Sequence, residues 1–102
     1  MSLEFRQMRH VIAVADHGSF ARAASALGLS QPALSRSIQA VEHDAGAQVF
    51  VRRANGVELT DSGHLFVARI RQIVQLTEDL DRDVAGERRL QSGHVHVGAG
   101  PF

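Results

Sequence analysis

Ser19-Phe20-Ala21-Arg22-Ala23-Ala24-Ser25-Ala26-Leu27-Gly28-Leu29-Ser30-Gln31-Pro32-Ala33-Leu34-Ser35-Arg36-Ser37-Ile38 decides how this 102-residue chain folds. Ser19 is a good N-cap for a short helix whose inward face is Phe20, Ala23, Ala24 and Leu27, and Gly28 is suited to end it. Ser30 caps the next helix, with Pro32 in its first turn, where the missing N–H costs nothing. Leu34, Ile38 and Val41 form the buried stripe of that helix, which stops near Asp44 and Gly46. The small alanines allow the two helices to cross closely, and Leu29 plugs the corner between them.

On the N-terminal side, Met8, Val11, Ile12 and Ala15 share one helical face, predicting a first helix from about residue 4 to 16 that His17-Gly18 stops. On the C-terminal side, Val49 to Arg53 and Val57 to Leu59 flank Ala54-Asn55-Gly56, a strong hairpin signal, so residues 48–59 read as a small wing. Thr60 then caps a long helix, with Asp61 at its positive end, and the pattern holds to about Arg89, or roughly 40 Å. Phe66, Ile70, Ile73, Thr77, Leu80 and Val84 recur along it as a heptad seam with one polar member. The first sixty residues are expected to cover only the first turns of this helix. The rest of the seam calls for a second copy of the chain, unless the helix folds back on its own domain. Residues 93–100 switch to period-two alternation, a tail expected to be disordered on its own and to be the opening strand of a further domain. The chain therefore divides into 1–60, a helical head with a wing; 61–90, a linker helix; and 91–102, a hinge and the start of that domain.

The two central helices and the Gly28 turn form a helix-turn-helix. If Leu34, Ile38 and Val41 face inward, then Pro32, Arg36 and Gln39 lie on the opposite face, with Ser30, Gln31, Ala33 and Ser35 toward its exposed end. Gln pairs with adenine, Arg with guanine or phosphate and Ser with several acceptors, while Pro and Ala surfaces pack on a thymine methyl. Any solvated helix also carries such residues, and composition alone favours that reading. The hairpin shifts the balance, because Arg52, Arg53 and Asn55 beside the second helix suit a flanking minor groove or backbone. Ser19 and Arg22 add candidate phosphate contacts.

Length excludes a multidomain enzyme. Eleven arginines, with no lysine, balance eleven acids. No large basic field attracts nucleic acid or membrane, and a GC-rich coding bias accounts for the all-arginine choice. Residues 1–60 hold six arginines against five acids and 61–90 hold five against six, so attraction to phosphate must come from local arrangement. The absence of cysteine excludes disulfides and thiolate metal sites and fits a reducing compartment. No signal peptide or membrane span is readable, which points to the cytoplasm. A metal or hydrolytic site would have to use His10, His17, His43, His64, His94 or His96, and these form no constellation. His10 and His43 are read as surface residues. Catalysis and bound cofactors are therefore not expected. A helical assembly module, with DNA irrelevant, is the other non-enzymatic reading.

Ser19-Phe20, Ala23-Ala24, Leu27, Ser30 to Arg36, Ile38, Val41-Glu42, Gly46, Phe50, Arg52, Leu59-Thr60 and Gly63 together resemble the N-terminal winged helix-turn-helix domain of LysR-type transcriptional regulators. The likeness covers essentially the whole chain. Ala45 and Val49 stand where leucines are usual, and Val11 where an aromatic is frequent. The resemblance implies a mainly α fold in which Gln31, Pro32, Ser35 and Arg36 take major-groove and backbone positions and the wing from Arg52 to Asn55 approaches the minor groove. It also implies homodimers through the linker helix on partly palindromic double-stranded DNA, tetramers in the full-length protein, and an effector domain sensing a small molecule.

Overall fold

The hydroxyls of Ser19 and Ser30 accept the backbone N–H groups of Arg22 and Ala33, each at 3.2 Å, and so start the two helices that the sequence assigns to them. The computed structural model describes residues 2–92, with side chains for residues 2–88. Its elements are α1 (Phe5–His17), α2 (Phe20–Leu27), α3 (Gln31–Ala45), β1 (Phe50–Arg53), β2 (Gly56–Leu59) and α4 (Asp61–Ser92). The architecture is the expected one, a helical head with a two-stranded wing and a long last helix. The expected strand over residues 93–100 lies outside the described residues.

Gly28 adopts the left-handed conformation (φ 71°), and the N–H of Leu29 bonds back to the Ala24 carbonyl at 2.9 Å. That closure satisfies the last carbonyls of α2 and turns the chain directly into α3. Val11, Val14, Phe20, Ala23, Ala24, Leu34, Ile38, Val41, Val49 and Phe50 form the core of the head. The inward face of α1 is rotated from the expected one: His10, Val11 and Val14 are buried, while Met8, Ile12 and Ala15 are only partly so. Val14 is the apolar residue that the i, i+3, i+4 template skipped.

β1 and β2 pair antiparallel with Phe50 opposite Leu59 and Arg53 opposite Gly56. The turn residues are therefore Ala54 and Asn55, one position earlier than an Asn-Gly turn. Gly56 belongs to the ladder because it lies against the body: its Cα carries φ 139°, and an added Cβ would stand 2.5 Å from the Gly18 carbonyl oxygen. The neighbouring N–H of Val57 donates to that same oxygen at 3.0 Å and ties the wing to the end of α1.

Thr60 begins α4, its Oγ1 accepting the N–H of Gly63 at 2.8 Å. The helix has 32 residues, about 48 Å, and runs through Ser92 where the expected linker ended near 90. Gly63, Val67, Ile70 and Val74 are buried against the chain's own head. Arg71 bonds Asp16 and Arg9 bonds Glu78, which fastens α4 to both ends of α1. The head thus covers about four turns of one face, more than the first turns expected. Ile70 is a correction to the seam: at 2% exposure it belongs to the head's own core. Leu65, Ile73, Leu76, Leu80 and Val84 line an adjoining face that remains open, Leu76 at 68% exposure.

Candidate nucleic-acid interface

With Leu34, Ile38 and Val41 locked into the core, α3 turns its other face outward. Ser30, Gln31, Pro32, Arg36 and Gln39 are exposed, and Ala33 and Ser35 are half-buried at the edge. Ser30 spends its oxygen on capping and Ser19 does the same for α2. Gln31, Arg36 and Gln39 are polar side chains with no hydrogen-bond partner among the described residues, and such side chains are what a groove-reading helix requires.

The wing stands beside α3 because Glu42 holds it there. One carboxylate oxygen of Glu42 accepts the N–H groups of Val49 at 2.8 Å and Phe50 at 3.1 Å, the entry to β1. Such a charge-assisted pair of bonds fixes the strand relative to the helix. Of the wing residues singled out by sequence, Asn55 sits in the exposed turn and Arg53 bonds Glu58 across the hairpin at 3.2 Å. Arg52 is exposed but folds back along the surface of the head. Its guanidinium carbon lies 3.8 Å from the Phe20 ring centroid and one nitrogen donates to Ser35 Oγ at 2.8 Å.

Ion pairing sorts the charge of the head. Arg6 pairs with Glu4, Arg9 with Glu78 and Arg53 with Glu58, while Asp16 is held by Arg71. Arg22, Arg36 and Arg52 form no ion pair among the described residues. They lie on α2, α3 and β1, one on each element.

Sequence reasoning missed His10. It is 8% exposed, and its Nδ1 lies 2.7 Å from Ser37 Oγ on α3, a buried polar link between the two helices. An isolated histidine on a helix carries no sequence signal that separates this from a surface site. Burial, and then the nearby Arg6 charge, push the imidazole pKa below its ordinary 6.5. The unfolded chain therefore takes up a proton that the folded chain resists, so this contribution is complete above pH 6.5 and is lost as pH falls below it. Thermal unfolding followed by circular dichroism from pH 8 to 5 is expected to show that loss. His10→Gln is expected to flatten it.

Residues 5–64 match the family described as bacterial regulatory helix-turn-helix protein, lysR family. The chain belongs to the lysR family. Among curated lysR-family relatives, the SDS degradation transcriptional activation protein of a Pseudomonas species is 44% identical over 99 residues, 97% of this chain and 32% of that protein. The HTH-type transcriptional regulator TfdT of Cupriavidus pinatubonensis is 42% identical over 95 residues, 93% of this chain and 42% of that protein. The chain thus spans roughly a third of the length of these relatives. Among solved structures, the CbnR DNA-binding domain in complex with DNA superposes with a TM-score of 0.74 at 42% identity, covering 82% of this chain and 98% of that one. The BenM DNA-binding domain bound to the catB site 1 DNA gives 0.74 at 36% identity, covering 90% and 100%. Both relatives are named as transcription regulators and neither as an enzyme. Among the described residues of this lysR-family chain no group of three metal-ligating side chains occurs, and no helix is long and apolar enough to cross a membrane.

Proposed function

We propose that this chain is the sequence-specific DNA-binding part of a bacterial transcriptional regulator. It places the outer face of α3 in the major groove and the Asn55 turn toward the flanking minor groove or backbone. One observation carries the reading: the exposed polar side chains Gln31, Arg36 and Gln39, with no hydrogen-bond partner among the described residues, lie on the same helix whose Glu42 holds the wing beside it. A merely solvated helix face gives no reason for that coincidence. Relatives solved as DNA complexes support it.

The chain acts as a homodimer. Ile73, Leu80 and Val84, joined by Leu65 and Leu76, present an apolar strip that the head leaves uncovered, with half-buried Phe66, which also packs on the head, and Thr77 at its edge, and a second α4 is its partner. Two heads held this way read a partly palindromic site. We infer tetramers in the full-length protein and an effector domain that senses a small molecule, for which the greater length of the relatives leaves room; this chain itself is assigned no cofactor. The cytoplasm is the compartment where such a regulator meets DNA.

Selection of bound duplexes from a random pool, followed by fluorescence anisotropy over a salt series, tests the reading. Half-sites with dyad symmetry and a steep salt dependence are expected, since phosphate contacts release counterions. Binding without sequence preference would overturn it. Arg36→Ala is expected to weaken the selected site by about 10- to 100-fold and relax preference at one base pair. Gln31→Ala is expected to alter preference with less loss of affinity.

A further inference from the structure

Arg52 touches three elements at once. Its backbone is in β1, its guanidinium lies over the Phe20 ring of α2, and its N–H reaches Ser35 of α3. Phe20 is itself buried at 6% exposure and meets Phe50 edge-to-face, centroids 6.2 Å apart. The guanidinium therefore caps an aromatic pair at the rim of the core. A planar cation that stacks on a ring and donates a directed hydrogen bond in its own plane is a task for arginine; an ammonium cannot do both.

Resting on the DNA-binding reading above, we propose that Arg52 is a positioning residue that locks the exposed half of α3 to α2 and the wing, and is not one of the groups that hold phosphate. To reach a phosphate its guanidinium would have to leave the ring and release Ser35. Arg22 and Arg36 have no such partners among the described residues. The bond also orients Ser35. An oxygen that accepts from Arg52 turns its own hydrogen away from the guanidinium, which leaves that hydrogen for a groove acceptor such as guanine O6 or N7, thymine O4 or adenine N7. Arg52 thus acts on base choice through Ser35 and through the seating of α3.

Arg52→Met keeps the stem over Phe20 and removes the donors; Arg52→Lys keeps the charge and removes the plane. Both variants would be titrated with the selected two-half-site duplex and with its single-base variants under α3, across a salt series, at a temperature where circular dichroism shows each folded. The expected result is a loss of about tenfold in discrimination for both, no rescue by lysine, and a salt slope equal to that of the wild type. A slope lower by about 1.8, the value for each protomer releasing one phosphate, overturns the proposal. So does wild-type binding by Arg52→Lys, or unchanged discrimination in Arg52→Met. NMR of the DNA-free protein gives an independent reading. Ring-current shifts of the Arg52 side chain, and displaced Ser35 and Arg36 amide signals in Arg52→Met, are expected, and their absence overturns the proposal. Should the wild type bind no duplex with preference, the DNA reading falls while the NMR comparison still decides the strut.

Discussion

Gly63→Ala is expected to destabilise the protein by about 3 kcal/mol, a fall in melting temperature of roughly 12–24 °C for a domain of this size. A Cβ at Gly63 would stand 2.1 Å from the Val49 carbonyl oxygen and 3.0 Å from its carbon. The obstacle is backbone, and it is held: that oxygen accepts the Thr60 N–H at 3.0 Å, while Glu42 grips the Val49 N–H. Neither side has freedom to give way. The helix propensity of alanine offsets about 1 kcal/mol, too little to reverse the sign. Gly86→Ala on the same helix meets nothing within 4 Å and is expected to stabilise α4 by that same propensity gain. Thermal melts of the two variants side by side separate a packing cost from a helix effect.

Leu80→Glu is expected to leave the head folded and to abolish dimers. Leu80 is 54% exposed and contributes nothing to the buried core, whereas Val74, little more than a turn and a half earlier, is part of it. Without the partner, the second head no longer binds as an intramolecular event, so affinity for a two-half-site duplex is expected to fall by about 100-fold or more. Affinity for a single half-site is expected to stay near its wild-type value. Sedimentation equilibrium reports the first effect and anisotropy on paired duplexes the second. A monomer that still held the double site at full strength would remove α4 from the recognition mechanism.

Most of the fold was legible because its signals are local. Ser19, Ser30 and Thr60 announce helix starts through hydroxyls that bond within three residues, and Leu34, Ile38 and Val41 repeat on one face of α3. The long helix was harder, for a physical reason. Its apolar residues serve two partners: Gly63, Val67, Ile70 and Val74 face the head, and Leu65, Ile73, Leu76, Leu80 and Val84 face away. A heptad count merges two adjacent stripes into one, and Ile70 falls on their border. At the candidate site, the outward face of α3 follows from its inward one. The direction of Arg52, the burial of His10 and the grip of Glu42 on the wing do not, since each depends on contacts between residues far apart in the chain.

The first helix packs on α2, α3, α4 and β2 alike. Through His10 it holds α3, and through Arg9 and Asp16 it holds α4. It is the crankshaft of the head, the one helix that packs on both α3 and α4 through several residues among those described. Substitutions on its flanks that touch neither nucleic acid nor the second copy are where a changed response to an upstream signal should first be sought.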